Sequence, residues 1–358
     1  MQGPARDLGG SMRVRVVLAA AVSVAFVAVA APAGAGPSYA VSQFGPVPDP
    51  GHPFGVLATE SGVYVMTSSG DPFMPSTGDD AIFRYAASGG KPIDVTHVKT
   101  SPTMGLYTAA EDSSGRLYVV DMNGRILRYT PSAHGLTHPE VYATDPYAAL
   151  GWPVSMWECL AFDSRGNLYV TDEQLGAIWK IPPNRKPALW FQDPTLLSVP
   201  LGGLNDIAIG PDGKLYFVEP LRADRPGEAT VYRLPLTRST PSSAQLEVFH
   251  EFAVAPAKGR TPIPGADDLA FGRSGKLYVT LTLSDQVAVL SADGKHQVAT
   301  ISSDAFDSPL GVRFEGDSIL VANSNYVERI PPPDPANMRI LKVDVGEPGL
   351  PLIRPSVK

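Results

Sequence analysis

Short apolar runs separated by turn-forming residues recur along the whole chain. In the stretch from Leu160 to Thr171, Leu160-Ala161-Phe162 leads into Asp163-Ser164-Arg165-Gly166-Asn167, and Leu168-Tyr169-Val170-Thr171 follows. The first and last pieces are strand-forming in composition, and the middle is a turn in which Gly166 can take a positive φ without steric cost. The same pattern returns at Leu204–Glu219, Ala266–Thr280 and Tyr107–Asp121, and more loosely at Gly55–Thr67 and Pro309–Asn323. Each copy is followed by a further strand-like run, among them Ile82-Phe83-Arg84-Tyr85, Ile178-Trp179-Lys180-Ile181 and Ile340-Leu341-Lys342-Val343. Most copies then show a fourth run, such as Leu246-Glu247-Val248-Phe249. Six units of four strands predict an all-β fold: a six-bladed β-propeller with four-stranded blades around a central channel. Ser38-Tyr39-Ala40-Val41 is expected to pair beside Ile340–Val345 and so close the ring, which removes the exposed strand edges.

Composition narrows the setting. The chain has 358 residues, 44% of them apolar, with 36 prolines and 34 glycines, as many turns require. Met12-Arg13-Val14-Arg15, the apolar run Val16–Ala31 and the small residues Ala33-Gly34-Ala35 read as a secretory signal peptide over residues 1–35, with Met12 a possible true start. Residues 36–358 then form a single propeller domain, secreted or extracytoplasmic, without stable membrane association after cleavage. Loss of residues 1–35 removes Arg6, Arg13, Arg15 and Asp7 and moves the formal charge from −7 to −9. An acidic surface argues against nucleic acid as a partner. The expected partner is a small-molecule substrate, and the expected state a monomer. The one cysteine, Cys159, excludes an internal disulfide and reads as a small buried hydrophobe. His134 and His138 flank Gly135 in an expected solvated loop, and their spacing is not taken as a metal motif. Two further loops are expected, at Met74–Asp80 and around Pro331-Pro332-Pro333.

Propellers bind ligands at one end of the channel, where the loops entering the innermost strands converge. Aligned on the turn glycines Gly115, Gly166, Gly213 and Gly275, the residue ahead of the innermost strand is Tyr107, Glu158, Asn205 and Asp267. In the first and last repeats it is Phe54 or Gly55, and Pro309 or Leu310. Glu158, Asn205 and Asp267 thus set three oxygen-bearing side chains around one axis. That is the donor chemistry of a hard cation such as Ca²⁺, one per chain; polar lining of a water-filled channel, or capping of loop amides, is the alternative. Asp206 and Asp268 follow two of these positions and either support the ligands or cap turns. Asp121, Asp172, Glu173 and Glu219 add acidity on the same face, and Trp157, Tyr107 and Phe54 are expected as exposed aromatic residues near the mouth.

The repeat, with Glu158, Asn205 and Asp267, resembles the senescence marker protein/gluconolactonase/luciferin-regenerating enzyme family over nearly the whole chain beyond residue 35. The resemblance implies a six-bladed propeller with one divalent metal, usually calcium, at the channel mouth, and a lactonase or related hydrolase activity. Asn205 matches the family's Asn ahead of its G-[ILV]-A run, and Asp267 its Asp ahead of the next such run. Two departures stand out. The family's Glu comes from the first blade, where this chain has Phe54 or Gly55, whereas the carboxylate here is Glu158 of the third. The glycines after the Asn and Asp are replaced by Asp206 and Asp268. The blade pattern also resembles NHL-repeat and strictosidine synthase-like propellers, which need no such metal.

Two functions follow. The first is a secreted, metal-dependent hydrolase of a lactone or similar ester, with Glu158, Asn205 and Asp267 on the metal and Asp268, Asp206 or Asp172 as general base. The second is a non-catalytic propeller that binds a small ligand or protein at the same mouth.

Overall fold

The computed structural model describes residues 39–69, 78–100, 104–150, 154–197, 203–222, 224–225, 227–237, 240–253, 264–325 and 335–357. The proposed signal peptide, residues 74–77 and Pro331-Pro332-Pro333 lie outside them.

Six four-stranded antiparallel sheets form a six-bladed propeller, as the repeats predict. Blade 1 comprises His52–Thr59, Gly62–Ser68, Asp79–Tyr85 and Asp94–Lys99. Blades 2 to 5 start at the inner strands Leu106–Glu111, Trp157–Phe162, Ile207–Ile209 and Ala266–Phe271. Blade 6 comprises Pro309–Glu315, Ser318–Asn323 and Arg339–Asp344, and Val41–Pro46 from the start of the chain completes it. That last pairing sets Val41 against Val343 and closes the ring. His138 lies in the outer strand Gly135–Thr144 of blade 2, not in a loop, because His134 is already in the tight turn of that hairpin.

The repeat explains the packing. Each second strand is a continuous buried run, such as Leu168-Tyr169-Val170, because a blade is covered on both faces. In blades 2, 4 and 5 its tyrosine packs edge-on against an aromatic residue near the end of the next inner strand: Tyr118 on Phe162 at 4.9 Å, Tyr216 on Phe271 at 4.9 Å and Tyr278 on Phe314 at 5.1 Å between centroids. These three hydroxyls turn to carboxylates, Tyr118 to Asp112 at 3.0 Å, Tyr216 to Asp212 at 3.0 Å and Tyr278 to Glu347 at 2.8 Å. In the repeat's turn, Asp163 Oδ1 accepts the N–H groups of Arg165 and Asn167 at 2.8 and 3.0 Å, while Gly166 takes φ of 82°.

A segment after blade 6 crosses the far end of the channel. Arg273 donates its N–H to Pro348 and Leu350 to Phe271 in blade 5, both at 2.8 Å. On the opposite side, Ser113 donates to Pro355 at 2.9 Å, Arg354 pairs with Glu111 at 2.9 Å, and Val357 is buried against blade 3. Residues 348–354 roof a chamber of 670 Å³ at that end. Truncation after Val345 should leave the ring closed by Val41–Pro46 but lower the melting temperature by roughly 5 °C. Thermal denaturation with circular dichroism checks this.

Candidate metal centre at the channel mouth

Every inner strand carries the same irregularity at its entry. Trp157 pairs with Asp172 and Leu160 with Val170, so Glu158 and Cys159 together oppose Thr171. Tyr107 and Thr108 in blade 2, Asp267 and Asp268 in blade 5, and Leu310 and Gly311 in blade 6 repeat that bulge. In blade 4, Asn205 donates to Val218 at 2.9 Å and Asp206 accepts from it at 3.2 Å, which gives the same two-against-one count. Blade 1 adds Phe54 between Pro53 and Gly55. Such bulges re-aim side chains. The equivalent first positions around the ring are therefore Phe54, Tyr107, Glu158, Asn205, Asp267 and Leu310. This resolves blades 1 and 6, where sequence alignment leaves two choices each.

The mouth divides into two halves. Blades 3, 4 and 5 present Glu158, Asn205 and Asp267. Blades 6, 1 and 2 present Leu310, Phe54 and Tyr107, which belong to one apolar cluster with Met104, Met122 and Met156. Phe54 and Tyr107 are buried and meet edge-on at 5.2 Å, and Trp157 packs away from the channel between blades 2 and 3. These three are thus not exposed aromatic residues. The bulge turns Trp157 outward, and neighbouring side chains cover the other two.

Tyr107 reaches across the channel and donates its hydroxyl to Asp267 Oδ1. Cys159 Sγ lies 3.6 Å from Asn205 Oδ1. Burial pushes the Cys159 thiol well up, and Asp206 and Glu158 add to this, so it is neutral and unsuited to a nucleophile's role. Glu158 is 5% exposed, and its Oε2 has no hydrogen-bond partner among the described residues. Burial raises its pKa well above the carboxylate range, with Glu173 and Asp267 next in importance. Burial likewise takes Glu173 to about 8 and Asp267 to about 7, against the opposing hydrogen bond from Tyr107 in the latter. Glu219, which accepts the Tyr232 hydroxyl at 2.9 Å, is pushed by burial to about 7.

The carboxylates put forward as general bases are otherwise engaged. Asp172 Oδ1 accepts the N–H groups of Met156 at 3.1 Å and Leu175 at 3.2 Å, and its Oδ2 accepts Ser155 Oγ at 2.6 Å and Trp179 Nε1 at 3.0 Å. Asp206 and Asp268 are both held by Arg313, a buried residue of blade 6 that is not among the site residues expected from the repeats. A carboxylate whose two oxygens are filled with donors is a fixed anchor, not a free proton acceptor.

The donor set fits one hard cation. Glu158 and Asp267 are carboxylates, Asn205 adds an amide oxygen, and the orphaned Glu158 Oε2 sits among like charges that a cation would relieve. Among the described residues no three Asp, Glu, His or Cys side chains form a metal cage. Tyr107→Phe removes a donor that lowers the pKa of Asp267. It should move the midpoint of calcium binding upward by roughly half to one pH unit. Calorimetric titrations across pH 5.5 to 8.5 measure this.

No family model matches the chain, and no curated protein sequence matches it. Solved structures do. A luciferin-regenerating enzyme is 13% identical with a TM-score of 0.62, covering 89% of this chain and 100% of its own. The calcium-binding protein regucalcin from Agrobacterium tumefaciens is 15% identical with a TM-score of 0.60, covering 86% and 94%. A proposed gluconolactonase is 14% identical with a TM-score of 0.57, covering 87% and 94%. This chain shares their six-bladed fold. The resemblance read from the repeats thus holds in three dimensions, at the level of architecture; activity is a matter of the site.

Proposed function

We propose that the protein is a secreted hydrolase of a lactone or similar ester, dependent on one divalent cation, calcium, at the channel mouth. The observation that carries this reading is the buried, unpartnered Glu158 Oε2 on the same ring of bulges as Asn205 and Asp267. Glu158, Asn205 and Asp267 would hold the cation. When bound, it would polarise the substrate carbonyl and stabilise the developing oxyanion. Glu173 takes the place of Asp172 as the candidate base. Burial raises its pKa to about 8 in the cation-free protein, where it is protonated at neutral pH; the charge of the bound cation would lower that value and free the carboxylate to accept a proton from water. The apolar half of the mouth, Phe54, Leu310 and the three methionines, would limit the access of water to the acidic half. Secretion rests on the signal-like residues 12–35, and a single closed ring is consistent with action as a monomer on a small substrate.

The test is metal content by elemental analysis, then calorimetry with calcium after chelation, then a panel of lactones and esters with and without the ion. One calcium per chain and calcium-dependent turnover are expected. No bound metal and no heat on adding calcium would sink the hydrolase reading and leave a binding module with a polar channel.

A further inference from the structure

The channel is crossed a second time, below the acidic arc. Two residues past each bulge, pairing with Tyr64, Tyr118, Tyr169, Tyr216, Tyr278 and Leu320 of the second strands, stand Leu57, Ala110, Ala161, Ala208, Ala270 and Arg313. Five are apolar and four of these are alanine; the sixth is an arginine. All six line the lower chamber. The small side chains leave room for the long one, which extends from blade 6 toward blades 4 and 5.

Arg313 Nη2 donates to Asp206 Oδ1 at 3.2 Å, and Nη1 donates to Asp268 Oδ1 and to the carbonyl of Val312 at 2.7 Å. The carboxylates are fixed from the backbone as well. Leu269 N–H donates to Asp206 Oδ2 at 3.0 Å, and Val312 N–H to Asp268 Oδ2 at 3.1 Å. Blades 4, 5 and 6 are therefore tied through one guanidinium at the level of the bulges. Asp206 directly follows Asn205, and Asp268 directly follows Asp267. A planar fork that engages two carboxylates defines their positions more sharply than a point charge does.

We propose that Arg313 is a positioning residue for the cation site: by clamping Asp206 and Asp268 it fixes the two bulges that aim Asn205 and Asp267 into the channel. The proposal rests on the calcium reading above. It also assigns a reason for the two aspartates that stand where the resembled family has glycine: they are the handles by which blade 6, which offers only Leu310 at the mouth, orients the ligands of its neighbours.

The experiment uses the full mature chain and calcium as the probe. Calorimetric titration of Arg313→Met and Arg313→Lys, at a temperature where both are folded by circular dichroism, should give calcium affinities lower by 10–100-fold for Met and by less for Lys, which keeps the charge but not the fork. Arg313→Met alone leaves two buried carboxylates uncompensated and can fail to fold. The combined variant R313M/D206N/D268N removes the charges together, which buried ion triads commonly tolerate, and should show the same loss of calcium affinity at near-parental melting temperature. A merely structural arginine would shift melting without shifting affinity. Parental affinity in any folded variant that lacks the arginine overturns the proposal. If the parent itself binds no calcium, the metal reading fails first and this proposal falls with it, before any variant is compared.

Discussion

Glu158→Gln should sharply weaken calcium binding and at the same time stabilise the cation-free protein. Both effects follow from one environment. Glu158 is buried, one of its oxygens is unpartnered, and Glu173 and Asp267 lie close enough to oppose its ionisation. At neutral pH the unfolded chain carries this carboxylate ionised at little cost, whereas the fold must either keep it protonated or bear a buried charge. Glutamine keeps the shape and removes that cost, worth about 1–3 kcal/mol at pH 7. A glutamine oxygen still accepts but brings no charge, so the cation should bind on the order of 100-fold more weakly. Gain of stability with loss of binding is the signature of a site maintained against the interest of the fold. Asp267→Asn should behave the same way, tempered by loss of the charge that the Tyr107 hydroxyl now meets. Thermal melts in chelator and calorimetric titration with calcium provide both readings. Unchanged calcium affinity in Glu158→Gln would remove this residue from the site, and a lower melting temperature would mean that its charge is compensated in the fold.

The blade architecture was legible because it is written six times. Each second strand is buried on both faces and so appears as a continuous apolar run, and each turn carries a glycine, with an aspartate in four of the six. The closing strand is legible on a different ground: an open ring would leave exposed strand edges, and pairing the start of the chain beside Arg339–Asp344 removes them. The site was less legible, and the bulge explains why. One added residue reverses the parity of the strand, so the repeat places Glu158 at the mouth but leaves Phe54 or Gly55 in blade 1 and Pro309 or Leu310 in blade 6, and it puts Trp157 on the wrong face. Tyr107 and Asp267 meet only because blades 2 and 5 face each other across a closed ring, which no local pattern encodes. Arg313 does carry a signal in the sequence. In the column Leu57, Ala110, Ala161, Ala208, Ala270, Arg313, a single charged residue among small apolar ones announces a partner, and Asp206 and Asp268 were already in view as its match.

The cation-free protein should lose stability as pH rises from 5 to 8, and calcium should cancel that loss. Asp267 and Glu219 have pKa values of about 7 in the fold, and Glu173 of about 8, raised in each case first by burial. In the unfolded chain all three return to near 4. Between these limits the folded state holds protons that the unfolded state has released, so unfolding becomes easier as pH increases, by up to about 1.4 kcal/mol per pH unit for each group. The stabilising contribution is complete below pH 4 and exhausted once pH passes the folded values of 7 to 8. Carboxylates with lowered pKa, such as Glu347 beside Ser274 and Tyr278, act in the opposite sense but only near and below pH 4, which leaves pH 5 to 8 to the raised groups. Cation binding needs Glu158 and Asp267 ionised, so calcium affinity should climb across the same window and each binding event should release protons. With calcium saturating, the melting temperature should then be flat or rising where the chelated protein's falls. Melts at pH 5, 6, 7 and 8, with chelator and with calcium, decide the matter. A chelated protein more stable at pH 8 than at pH 5 would mean that the acidic arc is already compensated without a cation, and the case for a metal at the mouth would go with it.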